Sequence, residues 1–269
     1  MSACYLCGDD TACGVFVHDR TRTRAPWVTV ACRACGLIQH RDHPSAAELD
    51  TYYRSGAYRR EFAPVAIGGI ESGAPEYPAI RKRWADAVAE FAEQNIGSVR
   101  GRTIFEVGAG DCAVAMALAR RGAAVSVIEA DASVVPDGVT AIEALPDPMP
   151  PAAVVVALQV LEHTADPVSA LRDWLRADTV YVEVPNARKP YVSLTHFLQW
   201  PHVVSFSPRT LGMVALAAGA LEVSMNEPDT VLAAVIRGRG ERRPWSEVAR
   251  LCPPMGGEFH AAELRGAFA

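Results

Sequence analysis

A hydrophobic strand running into a glycine turn, Ile104-Phe105-Glu106-Val107-Gly108-Ala109-Gly110-Asp111, constrains this chain more than any other feature. About twenty residues on comes a second apolar segment ending in acids, Val125-Ser126-Val127-Ile128-Glu129-Ala130-Asp131. The pattern is that of a strand opening through a glycine loop into a helix and then a second strand. Glycines let backbone amides approach a bound group, and a carboxylate at the tip of the next strand can accept hydrogen bonds from both hydroxyls of a ribose. Together the two segments predict a nucleoside site.

Downstream, apolar strands alternate with helical patterns. Strands are expected at 103–108, 124–129, 152–158 and 179–184, with helices at 111–121, 167–176 and 208–218. This alternation predicts a parallel sheet with helices on both faces. The last two strands, 221–226 and 230–237, are separated by a turn too short for a crossover helix and must pair antiparallel. Upstream, Ile80, Trp84, Val88 and Phe91 recur at helical spacing, predicting a helix over 78–94 that lays this stripe on the core.

Of seven cysteines, four fall as Cys4-x-x-Cys7 and Cys32-x-x-Cys35, each pair followed by glycine. In a reducing compartment that spacing points to metal rather than disulfides. Two such knuckles brought together by a hairpin, with strands near 15–17 and 27–30, complete a structural Cys4 site for Zn2+. His18, His40 and His43 complete no second site by spacing and are expected at the surface. The division that follows is a zinc ribbon over 1–43, a linker and substrate-side segment over 44–74, an α/β core over 75–240 and a tail over 241–269.

A net charge of −5 opposes a polyanionic partner, because nucleic-acid affinity rests on neutralising phosphates. The first 60 residues carry eight arginines against six acids, too even for a basic RNA platform. No apolar run approaches the roughly 20 residues of a membrane span, and Met1-Ser2-Ala3-Cys4-Tyr5 lacks the start of a secretion signal. A cytoplasmic protein acting on a small molecule, without a membrane partner, is expected; the sequence gives no oligomeric state.

With Glu106-Val107-Gly108-Ala109-Gly110-Asp111, Glu129, the Val154 to His163 strand and turn, Val182-Glu183-Val184-Pro185-Asn186 and the terminal hairpin, the chain resembles the class I S-adenosylmethionine-dependent methyltransferases over roughly 75–237. The resemblance implies a Rossmann-like α/β sheet, parallel with a terminal antiparallel hairpin, beside the small N-terminal zinc ribbon. It also implies S-adenosylmethionine as cofactor. By motif, Glu106, Gly108 and Gly110 hold its methionine part and Glu129, with Ala130 next to it, its ribose. The Leu-Glu-His turn brings Gln159 and Glu162 beside it, and the adenine side falls at Ile142-Glu143-Ala144-Leu145. Cys112 stands where the family's loop has a third small residue.

The segment His202-Val203-Val204-Ser205-Phe206-Ser207-Pro208-Arg209-Thr210-Leu211 is similar to one in a zinc-ribbon branch that includes deoxysugar C-methyltransferases. There a glutamate-histidine pair precedes Phe-Ser-Pro and the histidine faces the acceptor. Here Pro201 replaces the glutamate, and His202 is the candidate general base, with a hydrogen-bonded loop histidine as the alternative. Tyr53 or Tyr58 matches that branch's active-site tyrosine. His196, Trp200 and Asn186 are further candidates for the acceptor side. The sugar enzymes continue into another domain, whereas about thirty residues follow Gly240 here, so a smaller or differently carried metabolite of specialised metabolism is expected. RNA methylation and non-catalytic cofactor binding are the competing readings.

Overall fold

The computed structural model describes residues 3–18, 27–62, 73–189, 197–228 and 230–252, with side chains of 13–18 and of Phe62 left aside. Two compact units emerge. One comprises residues 50–158 and 177–181, the other residues 1–49, 159–176 and 182–269.

A seven-stranded sheet has the order β10-β11-β8-β7-β4-β5-β6. Its strands are β4 (Thr103–Val107), β5 (Ala124–Ile128), β6 (Thr140–Ala141), β7 (Val154–Leu158), β8 (Thr179–Pro185), β10 (Ala220–Asn226) and β11 (Val231–Arg239). β4 pairs parallel with both β5 and β7, and β5 with β6. The terminal pair is antiparallel, Val223 opposite Ile236, as its short turn requires. This is the predicted Rossmann-like α/β sheet with a terminal hairpin. Val154, Val155, Val156, Ala157 and all seven residues of β8 are buried, which explains their unbroken apolar reading: interior strands of such a sheet are covered on both faces. The sheet grows in opposite directions from β4 and β7, and at such a reversal the carboxyl ends of the strands open a crevice.

α1 (Ala46–Arg54) runs into the unit holding 50–158, where α2 (Ala57–Phe62) and α3 (Tyr77–Ile96) follow and α4 (Ala113–Arg120) comes after the glycine loop. The predicted stripe of α3 is displaced. Its buried face is Ala85, Ala89, Ala92 and Ile96, while Trp84 is 38% exposed. Small side chains let α3 approach α4 closely, and Trp84 instead lies under the Arg81 guanidinium, 4.1 Å from its ring centroid.

The other unit carries α5 (Pro167–Trp174), α6 (Pro208–Ala217), α7 (Trp245–Leu251) and a second sheet. Its order is β1 (Ala12–His18), β2 (Trp27–Cys32), β3 (Ile38–His40) and β9 (Val204–Ser205). The predicted hairpin is thus extended by two strands, the last from beyond residue 200. Ser207 caps α6, its side chain accepting from Thr210 N while Thr210 returns a bond to the Ser207 amide, a reciprocal arrangement readable from Ser-Pro.

Candidate functional sites

At the end of β4, Gly108 N donates to Ile128 O at 2.7 Å and ties the glycine loop to the end of β5. Gly108 and Gly110 have φ of 67° and 57°, the left-handed region where a side chain is costly. Cys112 adopts φ 59° as well, so the loop follows a glycine-like path without a third glycine. Glu129 Oε2 accepts from Gly110 N at 2.7 Å and its Oε1 from Asp131 N at 3.0 Å. Each carboxylate oxygen keeps a lone pair beyond those bonds, the acceptor pair that a ribose diol requires. Glu106 is 3% exposed, and its Oε2 has no hydrogen-bond partner. Burial, reinforced by the Asp111 charge, pushes its carboxyl up to about 8. An orphaned buried oxygen, two left-handed glycines and a half-saturated carboxylate fit a nucleoside cofactor.

The linker helices lie against this loop. A Cβ on Gly56 would stand 3.4 Å from Asp131 Oδ2, and one on Gly110 3.8 Å from Arg59 Nη2. Arg59 Nε pairs with Asp131 Oδ2 at 3.3 Å, and Arg81 grips Asp111 with two bonds of 2.6 and 2.8 Å. Tyr53 and Tyr58, on α1 and α2, have ring centroids 5.5 Å apart, and Tyr52 donates to Glu61 Oε2 at 2.9 Å. Ala130 is half-buried, whereas Glu143 and Ala144 are exposed beyond β6. Sequence reasoning had not singled out Arg59, Arg81 or Asp131; the Tyr58-Arg59-Arg60 run and the acid two places after Glu129 were the available signals.

In the other unit, Gln159 turns at φ 57° and its amide donates to Glu183 O at 2.7 Å. A 3-10 turn over Leu161–His163 then buries Glu162, which is 1% exposed with neither carboxylate oxygen hydrogen-bonded; burial pushes its carboxyl up to about 8. His163 Nδ1 donates to Pro201 O at 2.9 Å, and burial lowers its ring to about 4. His202 Nδ1 donates to Phe197 O at 2.6 Å, while its Nε2 meets Gln199 Nε2 at 2.8 Å. The two imidazole centroids are 4.6 Å apart. Burial, then the neighbouring His163, holds His202 well below its ordinary value, so the ring is neutral. Pro201, in the place of the branch's glutamate, serves through its carbonyl. Asn186 is fully buried and accepts Arg188 N at 3.0 Å while donating to Glu227 at 3.1 Å, closing its own turn. His196 lies outside the described residues.

The four cysteines of the knuckles converge. Cys4 and Cys35 Sγ are 3.5 Å apart, Cys7 and Cys32 Sγ 3.4 Å, and all four lie within 4.8 Å of one another. Tetrahedral Zn–S bonds of about 2.3 Å set sulfurs about 3.8 Å apart, so the cluster fits such an ion. Gly8 and Gly36, at φ 74° and 82°, close the knuckles by donating to Cys4 O and Cys32 O. His40 departs from expectation: it is 1% exposed and stacks on Trp27 at 6.1 Å. Trp27 Nε1 in turn donates to Leu198 O at 3.0 Å, His40 N donates to Val203 O at 2.9 Å, and β3 pairs Gln39 with Val204. The knuckle sheet therefore holds the segment that carries His202.

No protein-family model matches the chain, and no curated protein matches it by sequence. Among solved structures, it is similar to a SAM-dependent methyltransferase from Archaeoglobus fulgidus, at 12% identity and TM-score 0.48 over 60% of this chain and 99% of that one. It is also similar to magnesium protoporphyrin IX methyltransferase from Synechocystis PCC 6803 with bound SAH, at 14% identity and TM-score 0.47 over 70% and 97%. A third is an O-methyltransferase from neocarzinostatin biosynthesis in complex with SAM and 2-hydroxy-5-methyl naphthoic acid, at 18% identity and TM-score 0.45, covering 61% of this chain and 58% of that one. Likeness this distant carries no activity, and the reading of function rests on the residues.

Proposed function

We propose that this chain is an S-adenosylmethionine-dependent methyltransferase acting on a small-molecule acceptor of specialised metabolism, in a reducing cytoplasm. One observation carries the reading: Glu129, clasped by Gly110 N and Asp131 N, beside the orphaned buried Glu106. Gly108, Gly110 and Glu106 would hold the methionine part of the cofactor, Glu129 and Ala130 the ribose, and Glu143 and Ala144 the adenine edge. Bound there, the cofactor supplies an electrophilic methyl carbon on a sulfonium.

Methyl transfer is an in-line displacement, so the protein's work is alignment and, for a weak nucleophile, proton removal. His202 is the candidate base, with Tyr53 and Tyr58 as candidate acceptor contacts. A neutral imidazole can take a proton on Nε2 once the Gln199 amide turns aside. Cys4, Cys7, Cys32 and Cys35 would bind a structural Zn2+, with the ribbon over 1–43, the linker over 44–74, the core over 75–240 and the tail over 241–269 as functional segments.

Calorimetry on zinc-loaded protein tests the reading. Binding of S-adenosylhomocysteine is expected, weakened at least about tenfold in Glu129→Ala, as for loss of charge-assisted hydrogen bonds. Folded protein that binds neither this compound nor its methylated parent would overturn it.

A further inference from the structure

Outside the cysteine cluster, the described residues bring a second set of metal-ligand side chains together. One ligand atom each from Glu162, His163 and His202 lie within 4.8 Å of one another. Glu162 is 1% exposed, and both its oxygens are without hydrogen bonds, an unfavourable situation unless a cation or donor offsets it. Its Oε1 faces His163 Nε2 at 3.8 Å. Both imidazoles are locked in one tautomer by backbone carbonyls, His163 through Pro201 O at 2.9 Å and His202 through Phe197 O at 2.6 Å. Nδ1–H to a carbonyl puts the ring's lone pair on Nε2, the outer-shell arrangement that orients metal-binding histidines. The amide of Gln199, 2.8 Å from His202 Nε2, is a neutral group that side-chain rotation moves aside.

We propose that Glu162, His163 and His202 bind a divalent transition-metal ion in a site of two imidazoles and one carboxylate, separate from the cysteine cluster. That donor set suits Zn2+ or Fe2+ and excludes the all-oxygen preference of Mg2+ and Ca2+. Metal–ligand bonds of about 2.1 Å bring donor atoms to about 3.4 Å from one another, so the side chains close inward by roughly 1 Å. Three protein donors leave a coordination position open, as in centres that bind a water or a substrate oxygen. The site takes Glu162 and His202 from the cofactor-side and base roles that the resemblance implied for them, and a metal count reads it without either role. In the loaded protein His202 is a ligand, and its role as a base is confined to the metal-free form.

The full chain is equilibrated with buffered Zn2+ and, anaerobically, with Fe2+. Metal per chain is then counted by mass spectrometry, and the coordination shell is read by X-ray absorption. Expected is one equivalent beyond the sulfur-bound one, with a nitrogen and oxygen shell at the metal edge. Glu162→Gln and His202→Asn should each lose that equivalent while retaining the sulfur-bound one and the circular dichroism of the parent. Parent protein that takes up only sulfur-coordinated metal from both solutions overturns the proposal, whatever the variants do. So do folded variants that keep the nitrogen and oxygen shell.

Discussion

Glu106 is the penultimate residue of an interior strand, where its carboxyl meets neither water nor a full set of donors, and its proton affinity rises to about 8 in consequence. The sign of the effect on stability is fixed by linkage. Between the ordinary value of 4.5 and about 8, the folded chain binds more protons at this site than the unfolded chain, so its contribution falls as pH rises through that window. Glu106→Gln, which cannot titrate, should gain on the parent by roughly 1–3 kcal/mol between pH 5 and pH 8, read from thermal unfolding at both values. A parent whose stability difference from the variant is flat with pH would refute the neutral carboxyl. The placement of Glu106, Gly108, Gly110 and Glu129 on a strand, its turn and the end of the next strand was legible in the sequence because those elements are local and their geometry follows from backbone rules. Arg59 was not, because its partner Asp131 lies 72 positions away and no periodicity links them.

Elements were read well where a pattern has a single solution. The antiparallel closing hairpin followed from the length of its turn, and the start of α6 from Ser207-Pro208. The α3 stripe was misread because large apolar residues were taken to mark the core, whereas close helix packing there selected alanines. β9, two residues long, carries no periodicity at all; its strand character comes from β3. Gly219 joins α6 to β10 at φ 93°, and a Cβ there would meet Gly240 O at 2.8 Å and Glu241 O and Arg172 Nη1 each at 2.6 Å. Gly219→Ala should therefore cost ~2 kcal/mol or more in chemical denaturation, since both the conformation and the space are refused. Trp27→Phe keeps a smaller aromatic ring at the site and withdraws the donor from Leu198 O. A loss of about 1–2 kcal/mol is expected, with faster amide exchange at Val203 to Ser205 as the sign that the segment has loosened.

Over the whole chain, Glu106, Gly108, Gly110 and Glu129, proposed above to hold the cofactor, fall in one compact unit, while the cysteines and the histidine cluster fall in the other. Among the described residues no helix is long and apolar enough to cross a membrane. Chelation of zinc-loaded protein should act unevenly: amides of β1, β2, β3 and β9 lose protection together, and those of β4 and β5 keep theirs, as measured by hydrogen exchange with mass spectrometry. Uniform loss, or none, would contradict the assignment of the knuckles as the clamp on that sheet. The bond from Trp27 to Leu198 spans 171 positions. Relatives of this chain should accordingly vary in concert across those two distant stretches, and a gene hybrid that inherits one stretch from each parent should express poorly even though neither half carries a damaging change.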